Sequence, residues 1–168
     1  MICFAALSGG CSSNVETRVS SSGILITAPE QYMISTVAET SPELRTAYKL
    51  VAATMAKQGF TIAKNAPLHL EITLDARPAA LSVGGKEGPE SVSPAKKKKM
   101  LQSCEDREYR IGVTLTRVSD GSETYRGRAA EFHCNVDVVD ALPVLVSAAL
   151  ADLGRPRGSY AITRKGRE

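Results

Sequence analysis

"EYRIGVTLTRVSDGSETYRGRAAEFHC", residues 108–134, decides the fold. Its first half alternates strictly, with Tyr109, Ile111, Val113 and Leu115 on one side and polar residues on the other, the period of a strand with one buried face. "SDG" at 119–121 then supplies a turn, read as a three-residue loop with Gly121 as the bulge residue. That loop sets Tyr125, Gly127 and Ala129 opposite Leu115, Val113 and Ile111, and it keeps Arg126 and Arg128 out of the core. The stretch therefore reads as a β-hairpin with one apolar face that something else must cover.

Working outward, "PLHLEITLDA" at 67–76 alternates in the same way, with Leu68, Leu70, Ile72 and Leu74 inward and His69, Glu71, Thr73 and Asp75 on the wetter side. "FTIAK" at 60–64 precedes it as a short strand, "GILITAP" at 23–29 reads as the first strand, and "EQYMISTVAE" at 30–39 as a partly extended segment. Two helices are expected. In "TSPELRTAYKLVAATMAKQGF", 40–60, Leu44, Tyr48, Val51 and Met55 recur at helical spacing, Thr40 and Glu43 have capping-box spacing with Ser41 before Pro42 as the competing cap, and Gly59 ends the pattern. In "DVVDALPVLVSAALADLG", 137–154, Asp137 or Asp140 caps an apolar helix, Pro143 fits a first turn, and Gly154 follows the end. Strands cluster instead of alternating with helices. The expectation is an α+β fold, an antiparallel sheet of four to five strands with two helices packed on one face, over residues 23–153.

The chain of 168 residues suits a single domain; 43% of it is apolar, 23% is charged, it has no tryptophan, and the net charge is +3. That charge is too small to imply nucleic acid. The basic residues concentrate at Lys96, Lys97, Lys98 and Lys99, inside a Gly-, Pro- and Ser-rich connection expected to be a mobile loop over 79–103, and in a basic tail over 154–168 where "SYAITR" could add an edge strand. The lysine run is a candidate site for anionic surfaces, lipid headgroups or lipopolysaccharide phosphates, against the plainer reading of a solvated loop. No aromatic residues interleave it, as a stacking platform for nucleic acid would require.

"AALSGGCSS", residues 5–13, places small residues before Cys11 and a serine-rich polar stretch after it, and "MICFAAL" ahead is apolar. This order resembles the end of a bacterial lipoprotein signal peptide. Residues 1–10 are then a truncated signal whose charged start would be encoded upstream of Met1, Cys11 is the lipid attachment site, and 11–22 is a flexible tether. With "GFTIAKNAPLHLEITL", "EYRIGVTLTRVSDG" and the closing helix, the chain is similar in topology to small envelope lipoproteins of two-membraned bacteria, among them the lipopolysaccharide-assembly lipoprotein and uncharacterised lipoprotein domain families. The resemblance implies a noncatalytic protein held by its lipid on the periplasmic face of the outer membrane, Ser12 favouring that membrane, where it binds or scaffolds an envelope protein or an anionic lipid.

Cys104 and Cys134 flank the hairpin. In the expected register each misses the other by two places, and a small bulge near "AAEF" would join them as a disulfide in an oxidising compartment. A metal set of Cys104, His133, Cys134 and His69 lacks zinc-ligand spacing, so both histidines read as solvent-facing strand residues and no metal or other cofactor is expected. "SVGGKEG" has Ala80 where a phosphate loop needs its first glycine and Glu87 where it needs Ser or Thr. No G-x-S-x-G occurs. Glu71 and Asp75 share a strand face, so the alternative function is a periplasmic enzyme acting on envelope polymers, and a second is a soluble cytoplasmic domain with reduced cysteines.

Overall fold

The chain enters the sheet earlier than its serine-rich sequence suggests. The computed structural model describes residues 14–34, 41–80 and 104–166, and its first strand, β1, spans Asn14–Gly23. There follow β2 (Gln31–Ile34), helix α1 (Pro42–Lys57), β3 (Thr61–Ile62), β4 (Leu68–Pro78), β5 (Arg107–Arg117), β6 (Glu123–His133), helix α2 (Val138–Ala149) and β7 (Gly158–Lys165). Among the described residues the class is α+β with two helices, as expected, but the sheet has seven strands in the order β3-β2-β4-β5-β6-β1-β7. It is mixed: β2 runs parallel to both β3 and β4, and the remaining pairs are antiparallel. The expectation of a four- to five-stranded antiparallel sheet is thus corrected at both ends.

The corrections have local causes. Residues 14–22 were expected to be tether, yet β1 lies between β6 and β7 and is hydrogen-bonded on both sides, so its backbone groups are satisfied whatever its side chains are. Its inward positions are Thr17, Val19 and Ser21, a half-polar set that hides the strand period. Only Gly23 of "GILITAP" is strand, as the last residue of β1: there the backbone turns to φ +132, a conformation that favours glycine, and Ile24 and Leu25 beyond it stand exposed. The basic tail adds β7 at the sheet edge along most of β1, so 158–165 is ordered strand.

The central hairpin obeys its sequence. Ile111 pairs Ala129, Val113 pairs Gly127 and Leu115 pairs Tyr125, with a register shift after Leu115 toward the turn. On β4, Leu70, Ile72 and Leu74 continue these rows. Against this face pack Ala47, Val51 and Met55 of α1 and Ala141, Leu142, Leu145, Val146 and Ala149 of α2, giving an aliphatic core with Tyr32 and Tyr125 as its largest aromatic members. Each Leu or Ile buried there contributes roughly 1.5–3 kcal/mol.

Caps fix where the helices start. Ser41 Oγ accepts from Leu44 N at 3.1 Å with Pro42 at the first helical position, and the alternative cap Thr40 lies outside the described residues. Asp137 Oδ1 accepts from Val139 N at 3.0 Å, which puts Pro143 inside α2 and not in its first turn. The carbonyl of Val139 accordingly has no i+4 amide to accept from.

Candidate functional site

Two carboxylates within the sheet gather the polar chemistry. Glu131, on the helix-facing side of β6, is fully buried. It accepts hydrogen bonds from Thr17 Oγ1 of β1, from Arg164 of β7 through Nη2 at 2.8 Å and Nε at 3.3 Å, and pairs with His133 Nε2 at 2.7 Å. Burial opposes its ionisation, but the bonds from His133, Arg164 and Thr17 outweigh that and hold its pKa down from 4.5 to about 2. The His133 ring stacks on Tyr109 with centroids 5.7 Å apart, and Tyr109 Oη donates to Val136 O at 2.7 Å, just ahead of the α2 cap. The cluster fastens β1, β6, β7 and the entry to α2 at one end of the sheet.

The disulfide closes the same end. Cys104 and Cys134 are bonded, with their Cα atoms 5.8 Å apart. The expected bulge near "AAEF" is not how they meet, because the ladder keeps one register from Ile111↔Ala129 out to Arg107↔His133. Instead the chain bends at Cys104 and at Cys134–Asn135, where Asn135 takes φ 60, and the bends make up the missing two places.

On the opposite side of the sheet sits Glu108, 1% exposed, accepting from Arg18 of β1, Arg77 of β4 and, at 3.2 Å, Arg110 of its own strand. Arg18 also lies over the Phe132 ring, 4.6 Å from its centroid. Neither Glu131 nor Glu108 stands out in the sequence, since a carboxylate in a strand declares a partner only once the neighbouring strands are known. His133, expected to face solvent, is buried against Glu131, and the reason is its alternation with Glu131 on the covered face.

A third carboxylate, Asp152, follows α2. It accepts from Ser21 Oγ at 2.8 Å and from Arg157 Nε at 2.6 Å, and Arg157 stacks over Tyr160. Both ends of β7 are therefore tied to buried carboxylates, Arg164 to Glu131 and Arg157 to Asp152, so two arginines of the basic tail act as structural ties.

Of the residues singled out in the sequence, Cys11 and Lys96–Lys99 lie outside the described residues, as do the signal segment and 81–103 of the basic connection. His69 shares the face of Glu71 and Asp75, away from the helices, whereas His133 is on the covered face, so the imagined four-residue metal set is not brought together. Among the described residues no group of three or more His, Cys, Asp or Glu could hold a metal ion. Glu71 and Asp75 are exposed and separated along one strand by about 13 Å, beyond the spacing of the carboxylate pairs that hydrolyse glycosides. A cleft of about 130 Å³ lies where Ile26 and Pro29 cross Gln58, Phe60, Leu153 and Gly154, well below the size of a typical small-molecule pocket. No helix among the described residues is long and apolar enough to cross a membrane.

No family model matches the chain, and no curated protein sequence matches it. Its fold is similar to that of the PelC dodecamer from Paraburkholderia phytofirmans, at 15% identity and a TM-score of 0.52 over 83% of this chain and 99% of that one. A point variant of the same dodecamer in another crystal form gives 16% identity and a TM-score of 0.51, over 84% and 99%. A PDZ domain protein from Parabacteroides distasonis is similar at 12% identity and a TM-score of 0.58, over 90% of this chain and 39% of that protein. At such identities the likeness is one of fold.

Proposed function

We propose that the chain is a noncatalytic lipoprotein, held through Cys11 on the periplasmic face of the outer membrane, whose domain binds or scaffolds an envelope component. The observation that carries this reading is the Cys104–Cys134 disulfide, since such bonds form and persist in oxidising compartments outside the cytoplasm. The start of β1 at Asn14 adds a consequence. Three residues span at most about 11 Å, so a lipid on Cys11 would hold the β1 end bearing Glu131, Arg164 and the disulfide close to the bilayer.

The partner class is an envelope protein or an anionic lipid such as lipopolysaccharide, with Lys96–Lys99 as a candidate contact. The likeness to PelC, which is a dodecamer, favours scaffolding through self-association as one form of this function.

The test is fractionation of cells producing the chain behind a complete export signal. The wild type should sediment with membranes and Cys11→Ser should appear in the soluble periplasmic fraction. Equal distribution of the two would reject the anchor. Crosslinking in the intact envelope followed by purification should recover a defined partner or a ladder of self-crosslinked species, and a purely monomeric product would reject the scaffolding role.

A further inference from the structure

The two edges of the sheet differ in length. β3 closes one side with two residues, whereas β7 closes the other with eight, and among the described residues nothing pairs with its outer side. A long edge strand presents a row of unpaired backbone donors and acceptors, which proteins usually blunt with charges, proline, a bulge or shortness. Shortness protects β3. Over 159–163, β7 has no such device: it carries no charge and no proline there, and it keeps one unbroken register along β1 from Gly158 to Lys165.

The arginines that flank this stretch are matched from within the molecule, Arg164 by Glu131 and Arg157, just ahead of the strand, by Asp152. Between them "SYAIT" lies open, with Ile162 44% exposed and Ser159, Ala161 and Thr163 exposed as well. Tyr160 and Ile162 stand opposite Val19 and Thr17 and share the helix side of the sheet. Ser159, Ala161 and Thr163, opposite Ser20, Arg18 and Glu16, share the other side. An antiparallel copy of β7 with its two-fold axis at Ala161 sets Tyr160 against Ile162 on one face and Ser159 against Thr163 on the other, each pair twice. An aromatic with a β-branched residue, and two hydroxyls, are both favoured cross-strand pairs. Arg164 then meets Gly158, and Lys165 lies beside Arg157, whose charge Asp152 offsets.

We propose that β7 is a docking edge for a second copy of this chain, the two strands pairing antiparallel about Ala161 so that one sheet runs through both molecules. A two-fold interface needs a surface complementary to itself, and 159–163 is such a surface. An acidic strand is the poorer occupant, because the arginines that would recognise it are already held by Glu131 and Asp152. Arg157, 4.5 Å from the centroid of the Tyr160 ring, steadies that side chain, which stays partly exposed. The inference rests on the self-association form of the proposed function, to which it gives a surface, and it uses neither Cys11 nor a lipid.

The experiment is sedimentation equilibrium of the purified, unlipidated full chain, in a Cys3→Ser, Cys11→Ser background that keeps the Cys104–Cys134 bond, with thermal midpoints measured in parallel. The background protein should form a reversible dimer. Ile162→Lys, at an exposed position, should keep its midpoint and dimerise about tenfold or more weakly, because the two-fold axis repeats the lost pair with Tyr160. The same substitution on the opposite edge, Ile62→Lys, should leave dimerisation unchanged. Crosslinking reads the register independently of how Ile162→Lys folds. Under mild oxidation Ala161→Cys should give a covalent dimer, and Thr163→Cys, whose two copies lie about 13 Å apart along the paired strands, should not. A dimer that survives Ile162→Lys, that weakens equally in Ile62→Lys, or that Thr163→Cys captures as readily as Ala161→Cys, would overturn β7 as the surface and leave self-association standing. A background protein that stays monomeric would overturn both.

Discussion

Tyr125, in the middle of β6, donates its phenolic proton to the carbonyl oxygen of Ala149 at the end of α2, across 2.6 Å. Gly127 makes the approach possible, because a Cβ there would fall on that same carbonyl oxygen, which is backbone and cannot step aside. The helix end is therefore locked onto the sheet by one residue that bonds and one that is absent in side chain.

This lock predicts a pair of effects of different size. Tyr125→Phe removes a buried bond and leaves an acceptor unpaired, and should cost about 1–3 kcal/mol. Gly127→Ala forces α2 off the sheet and should cost at least as much, on the order of 3 kcal/mol from overpacking. Urea denaturation of both variants checks the order; a Gly127→Ala protein as stable as the wild type would contradict the close approach.

Glu131 predicts a pH dependence. Its folded-state pKa, about 2, lies below the ordinary 4.5, so its ionised form stabilises the fold fully above about pH 4.5, and that stability is lost as pH falls toward 2. The span corresponds to roughly 3 kcal/mol. Glu131→Gln should be less stable than the wild type near pH 7 by about that amount, with the gap closing between pH 4.5 and 2, followed by chemical denaturation at each pH. A gap that stays constant across this window would show that the carboxylate charge is not what Thr17, His133 and Arg164 recognise.

The disulfide predicts a reducible share of stability. Cys104 and Cys134 close a chain segment of 30 residues in sequence separation, for which the loss of unfolded-state freedom amounts to roughly 2–4 kcal/mol. Cys104→Ser with Cys134→Ser, and the wild type under reductant, should show the same drop in thermal midpoint. A drop in one and not the other would mean that the substitutions disturb packing of their own.

Where the sequence was legible, it was legible through periodicity. Leu68 to Leu74, Tyr109 to Leu115 and Tyr125 to Ala129 alternate cleanly, and the hairpin loop fixes their register, so three central strands and their covered face followed from the residues alone. The strand β1 did not follow, because Thr17 and Ser21 take buried positions that become tolerable only when Glu131 and Asp152 bond them. The mixed edge was hidden in the same way: β2 is four residues long and β3 two, and their parallel pairing depends on α1 carrying the chain back across the sheet. The arginines were half legible. Arg126 and Arg128 were placed outside the core by the hairpin register, but the meeting of Arg18 and Arg77 at Glu108, with Arg18 90 residues away in sequence, needs the order β4-β5-β6-β1.

The most direct test of the anchored, oxidised reading is the intact mass of the protein recovered from the membrane fraction of its native host, with and without reduction. The account predicts a product that begins at Cys11 and carries added acyl mass, and that gains two hydrogens per disulfide on reduction. An unmodified chain that retains residues 1–10 and shows no mass change on reduction would contradict it.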